Sequence, residues 1–346
     1  MIKTGILGAH TAAAGELIRI LINHPDVDLR TVASADIAGQ RIDNVHRGLI
    51  GDTDMVIASE LVPQGLDAVF LCGEPWEARK WMEQHGEALD EDPKNPIRVI
   101  DLTGAFRKGE YLMVYGLPEH NRKALVRGAT RASIPSPIAM AVGLALFPLA
   151  KNMLLQGEVN ASITMASTEA ACAASESQPA NYQNVAISTR LDPIAPIENR
   201  PDSEDAEREI LQFLKEVQPA CHSSVKLQLS RNLTIPRGVI ATVDTPCSLP
   251  LMELTRRYEE AYDDHNFTYI IDRVPETTDV ANTNKCLLYL SYPETGPDPI
   301  SASQSLRVTA VIDNFLKGSA GNAVHCLNLL FGLSERTGLS LKASAY

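Results

Sequence analysis

At 346 residues the chain is long enough for two domains, each with its own hydrophobic core. Hydrophobic residues at 45% and charged residues at 21% describe an ordinary globular protein. A formal charge of -12 excludes a surface built for nucleic acid or an anionic membrane, either of which needs a basic patch.

In chain order, Met1-Ile-Lys-Thr-Gly-Ile-Leu-Gly8 is strand-like from its first residues, so no signal peptide is expected ahead of the fold. No apolar run approaches the roughly 18 residues that cross a bilayer, and a cytoplasmic protein is expected. Residues 2–8 read as a buried strand, and Ala12 to Asn23 as a helix with Leu17, Ile18 and Leu21 at helical spacing. Strands follow at Asp28 to Ser34, Asp67 to Cys72 and Arg98 to Leu102, with a helix at Glu74 to His85. Strands alternating with helices predict a parallel sheet with right-handed crossovers, a Rossmann-like doubly wound nucleotide-binding domain.

From Ser136 the pattern changes. Ser136-Pro137 ahead of Ile138-Ala-Met-Ala-Val-Gly-Leu is a helix start, with serine as N-cap and proline at the first helical position. Strands are predicted at Val159 to Ala166, Ser224 to Leu229, Val239 to Val243, Thr268 to Asp272, Cys286 to Ser291 and Leu306 to Ile312. A helix at Pro250 to Asp263 lies among them. This half is α+β with a mainly antiparallel sheet. The Pro/Asp/Glu-rich stretch from Asp192 to Glu209 reads as an exposed loop leading into a helix over Ala206 to Val217. The last helix covers Gly318 to Leu333, with Gly332 as its stop.

Gly8-Ala-His-Thr-Ala-Ala-Ala-Gly15 stands where a dinucleotide fingerprint would be. Gly8 meets the demand for a tight turn, Thr11 holds the second glycine's place, and Ala14 is small enough for the third. At the end of the second strand, Ser34 and Asp36 are candidate ribose contacts, because an acid there accepts the hydroxyls of NAD and repels a 2′-phosphate. Asp36 as a plain solvated loop residue is an equal reading, and Arg41 is a candidate compensating charge. The six cysteines, Cys72, Cys172, Cys221, Cys247, Cys286 and Cys326, include no Cys-x-x-Cys pair. They read as free thiols, and no metal site is expected.

The segments Asp101-Leu-Thr-Gly-Ala-Phe-Arg107, Val114-Tyr-Gly-Leu-Pro-Glu119 with Asn121-Arg122, and Val311-Ile-Asp-Asn-Phe-Leu-Lys-Gly-Ser-Ala-Gly321 carry a family pattern. It resembles the N-acetyl-γ-glutamyl-phosphate reductases of the semialdehyde dehydrogenase superfamily, in the form found in Bacteroidetes-type bacteria. That family uses NADP to reduce an N-acetyl or N-succinyl acyl phosphate to a semialdehyde in arginine biosynthesis. The resemblance implies a nucleotide-binding domain over 1–133 plus 318–346 and a substrate and dimerisation domain over 134–317. It also implies a homodimer or homotetramer and a small acyl-amino-acid ligand. Ser167, Asn314, Lys317 and Gly318 would then join Gly8, Thr11, Ala14, Ser34 and Asp36 around NADP or NAD, while Arg107 and Arg237 would face substrate.

The family's nucleophile is a cysteine within Asn-Pro-Gly-Cys. Lined up on Pro135, that cysteine's place is held by Pro137. No histidine occurs between His120 and His222, so the family's acid/base is missing too. A second glycine loop has become Ala166-Ser-Thr-Glu-Ala-Ala171, and the family's Pro-His-Gly reads Glu74-Pro75-Trp76. Residues that act as a unit are lost together at a cost of about 10⁴ to 10⁶ in rate. Ser136 lacks a base near it in the sequence and reads as an N-cap; Cys172 reads as a small buried thiol; Cys221 and His222 point apart if they lie in a strand. The resemblance therefore leaves a homologue of the reductase, retained as an enzyme with weakened or altered chemistry and with a weakened or lost cofactor site. The alternative is a non-catalytic paralogue that binds a metabolite or the genuine reductase.

Overall fold

Strand β1 (Ile2–Leu7) is central to a sheet built from β2 (Val27–Ala33), β3 (Ala68–Leu71), β4 (Arg98–Asp101), β5 (Val114–Tyr115) and β6 (Arg131–Ser133). The computed structural model describes residues 1–168, 194–196, 201–232, 234–293 and 305–343. The chain divides into two compact units; among the described residues, Met1–Pro135 and Ser319–Leu341 make the first. Its sheet runs in the order β2-β1-β3-β4-β6-β5, with every neighbouring pair parallel. β3 is Ala-Val-Phe-Leu and wholly buried, because helices on both faces leave no side for polar residues. The helices are α1 (Ala12–Leu21), α2 (Ile42–Val45), α3 (Pro75–His85) and α4 (Pro118–Val126). The chain passes from β1 outward to β2 and then returns to place β3 on β1's other side. That reversal is the topological switch point at which doubly wound sheets bind ligands.

The chain's last helix, α8 (Gly321–Leu330), is buried along its whole length and packs on α1, α4 and β4. Its polar residues are therefore partnered. Asn322 Nδ2 donates to Gly116 O at 2.6 Å, and Asn328 Oδ1 lies 3.1 Å from His24 Nε2. Glu335 bridges His325 at 2.7 Å and Arg122 at 2.5 Å. Gly332, at φ +67, ends the helix as the sequence predicts.

Two histidines of this unit are held below their ordinary pKa, His24 and His46, in both cases chiefly by burial. Below about pH 6.5 the unfolded chain takes up protons that these folded residues refuse. Their contribution to stability is therefore complete above that pH and falls as pH drops beneath it. His46 Nε2 sits 2.7 Å from Ala9 O. The melting temperature is expected to drop between pH 7 and pH 5, and to drop less in His46→Gln, whose amide can still donate to Ala9 O.

The second unit takes in the described residues between Ser136 and Gly318. Its strands are β7 (Glu158–Ala166), β8 (Ile194–Pro196), β9 (Ser224–Asn232), β10 (Val239–Pro246), β11 (Thr268–Ile270), β12 (Cys286–Ser291) and β13 (Ser305–Ile312). They lie in the order β11-β12-β13-β10-β7-β9-β8. β7 with β9 and β11 with β12 are parallel, and the other pairs are antiparallel. The helices are α5 (Pro137–Lys151), α6 (Pro201–Val217) and α7 (Leu251–Tyr262). α5 is buried from Ile138 to Ala150 and packs on β10 and β13, with α6 and α7 beside it. A Cβ on Gly143 would lie 3.4 Å from the Phe213 ring, so its absence lets α6 lie close. The hydroxyls of Tyr258 and Tyr262 donate to Ala145 O at 2.6 Å and Leu144 O at 2.5 Å, which pins α7 to α5.

One reading needs correction. The expected loop from Asp192 to Glu209 holds a short strand, β8, and the helix begins at Pro201 rather than Ala206. Proline at the first position and acids in the first turn are helix-start chemistry, and the loop-like composition concealed it. Among the described residues, no helix is long and apolar enough to cross a membrane.

Candidate functional site

In the first unit the candidate nucleotide contacts follow β1 and β2, and Arg107 follows β4. Gly8 has φ +84, and a Cβ there would lie 2.1 Å from Gly73 N. The glycine thus serves both the turn and the contact between the β1 and β3 loops. Thr11 caps α1: its Oγ1 accepts from Ala14 N at 3.2 Å. The hydroxyl proton lies within reach of Gly8 O at 3.1 Å and Cys72 O at 2.9 Å. Thr11 therefore spends its hydrogen bonds on the fold. Ala14 is fully buried. A Cβ on Gly15 would come within 2.5 Å of the His46 ring, so this glycine serves side-chain packing.

Ser34 is buried, with its hydroxyl 3.0 Å from His10 Nδ1. Asp36 is exposed on a single 3-10 turn after β2. Arg41, the candidate compensating charge, is held by Asp43 at 2.7 Å and Asp54 at 2.6 Å. Arg107 is half-buried and donates from Nε to Ile134 O at 3.0 Å. Its guanidinium lies over Gly104, where a Cβ would sit 2.7 Å from Cζ.

In the second unit, Ser136 caps α5 as predicted, its Oγ accepting from Ala139 N at 3.2 Å. Its partner could not be found by reading along the chain. Glu209 on α6 accepts from Ser136 N at 3.0 Å and from Ser136 Oγ at 2.7 Å. One weak signal exists in the sequence: Glu209 falls within the apolar stripe Ala206, Ile210, Phe213 and Leu214, where an acid has to find a partner. Pro137 follows at the first helical position, and its ring rests on Gly318. A Cβ at Gly318 would lie 2.9 Å from Pro137 Cβ and 3.2 Å from its Cγ.

Asp313, at the end of β13, is the second residue that chain-wise reading missed. It is fully buried and pairs bidentately with Arg237, at 2.9 Å and 3.0 Å. It also accepts from the backbone N–H groups of Asn282, Phe315 and Leu316. Most of Arg237's charge is thus answered inside the fold, and the Phe315 ring lies 5.1 Å from its Cζ. Asn314 accepts from Gly238 N at 2.8 Å and donates to Thr168 Oγ1 at 3.3 Å. Lys317 is fully buried. Ser167 is buried and tied through both N and Oγ to Ile235 O. Glu169, Ala171 and Cys172 lie outside the described residues. Cys221 is buried and His222 is exposed, and both lie ahead of β9 rather than within a strand. Among the described residues no cluster could hold a metal ion.

The two units match two family models. The semialdehyde dehydrogenase NAD-binding domain matches residues 3–127, and the semialdehyde dehydrogenase dimerisation domain matches residues 138–314. The chain therefore belongs to the semialdehyde dehydrogenase family. Within it, the chain's relatives include N-acetyl-γ-glutamyl-phosphate reductases. Those of Parabacteroides distasonis and Phocaeicola vulgatus are 38% and 36% identical to this chain, with all of each chain covered. The fold is also similar to that of aspartate semialdehyde dehydrogenase II from Vibrio cholerae, with a TM-score of 0.71 at 17% identity over 96% of this chain and 99% of that one.

Proposed function

We propose that this chain is a member of the N-acetyl-γ-glutamyl-phosphate reductase family that keeps the nucleotide-binding and dimerising frame without thioester chemistry. The observation that carries this reading is Pro137. It has no nucleophilic atom, and its ring fills the space over Gly318. A thiolate at the N-terminus of α5 is what the family's acyl transfer requires. Arg237, a candidate substrate contact, is committed to Asp313, whereas Arg107 keeps a half-buried guanidinium suited to a carboxylate or phosphate.

The NAD-binding domain supplies a frame for a dinucleotide. Gly8 and Asp36 would hold its turn and its ribose, and Asp36 favours NAD over NADP. Thr11 puts a β-branched side chain where backbone would approach the pyrophosphate, which weakens the site. The matched dimerisation domain supports pairing, either with itself as a homodimer or homotetramer or with a genuine reductase as a regulatory partner. A cytoplasmic location suits either use.

Calorimetric titration of NADH and NADPH, with a turnover assay on N-acetyl- and N-succinyl-γ-glutamyl phosphate, tests the reading. NADH is expected to bind the more tightly of the two. Turnover is expected about 10⁴ to 10⁶ below that of an intact reductase. Turnover within a factor of about 100 of an intact reductase would overturn the reading.

A further inference from the structure

We propose that Glu209 is a built-in anion that occupies the N-terminus of α5 and closes it to acyl-phosphate and carboxylate ligands. Three observations converge on this. First, the carboxylate is bidentate on one residue, taking both the N–H and the hydroxyl of Ser136, at 3.0 Å and 2.7 Å. Second, Glu209 is only 9% exposed, so it is placed by the packing of α6 on α5 and is not a passing surface contact. Third, α5 lacks the local acid that would otherwise do this work.

In a capping box the third helical residue, Glu or Gln, reaches back to the N–H of the N-cap. Here that position is Ala139, and the carboxylate arrives from a residue 73 positions away in the chain. The N-terminal end of a helix carries about half a positive charge and favours an anion. In a thiol-dependent relative this end serves the thiolate. In this chain the anion is supplied internally, and a second one beside it would meet like-charge repulsion. Pro137, which contributes no N–H, further reduces what the helix end can offer an incoming oxygen. The inference builds on the proposed loss of thioester chemistry, but its test reads the titration of a thiol and not turnover, so the two fail separately.

The test installs a reporter at the helix end. Pro137→Cys and the double variant Pro137→Cys/Glu209→Gln are alkylated with iodoacetamide across a pH series. Peptide mass spectrometry then reads the new site apart from the native cysteines. The thiolate displaces iodide, so the rate follows the thiolate fraction. With Glu209 in place the thiol should titrate near or above the ordinary value of about 8.5. In the double variant it should titrate about one unit lower, with alkylation about tenfold faster at neutral pH. Millimolar inorganic phosphate should slow alkylation in the double variant and leave the single variant unchanged. Equal pH profiles and equal phosphate responses in the two variants would overturn the proposal. Glutamine preserves an acceptor for Ser136 N, so both variants are expected to fold, and matched melting curves check this.

Discussion

Replacing Asp313 with alanine is expected to destabilise the second unit by about 3–5 kcal/mol, the range found when one member of a buried ion pair is removed. The size follows from what the carboxylate holds. Asp313 is fully buried, and its two oxygens take the Arg237 guanidinium and three backbone N–H groups. Alanine leaves all of them without that acceptor, and leaves Arg237, only 18% exposed, with its charge unanswered by Asp313. A loss of that size lowers the melting temperature by about 10 °C for a unit of this length.

Asp313→Asn keeps the shape and some acceptors while removing the charge, so it should fall between wild type and alanine. Arg237→Ala should cost less, since three backbone N–H groups still meet the Asp313 carboxylate, and the double variant should be less damaged than the sum of the singles. Calorimetric melting of the four proteins gives the coupling energy. Additive losses would mean that Arg237 is not held by Asp313.

The pair also shows what a linear reading could and could not supply. β1, β3, β12 and the cap at Ser136-Pro137 were legible because each depends on residues adjacent in sequence: apolar runs, glycine turns, a serine ahead of a proline. The C-terminal stop at Gly332 was legible for the same reason. Asp313 and Glu209 were not, because their partners Arg237 and Ser136 are 76 and 73 residues distant. Each left only a trace, an acid set where its neighbours are apolar. Arg237 is the instance: a guanidinium beside a glycine suits a ligand carboxylate, and one carboxylate that meets it, Asp313, belongs to the chain. The opening of α6 was hidden differently. Pro201-Asp-Ser-Glu has the composition of a loop and the order of a helix N-terminus, and order decided.

Gly8→Ala is expected to cost about 3 kcal/mol or more and to disable any nucleotide binding by the first unit. Two separate penalties add. The backbone at φ +84 strains any residue with a Cβ, by about 1–2 kcal/mol. The new methyl would also sit 2.1 Å from Gly73 N and 2.2 Å from Gly73 Cα. Those are backbone atoms of the adjoining loop, which cannot swing aside as a side chain can. Relieving the contact means parting the ends of β1 and β3 at the switch point, where a dinucleotide would lie.

Gly51 separates the two penalties. Its φ is +89, yet nothing lies within 4 Å of the place its methyl would take, so Gly51→Ala carries the backbone strain alone. The difference between the two variants in chemical denaturation therefore measures the contact, and should be about 2 kcal/mol. Equal losses would mean that the β1 and β3 loops are not in contact at Gly8. In that case Gly8 would serve the turn alone, and the space beside it would be open to a phosphate.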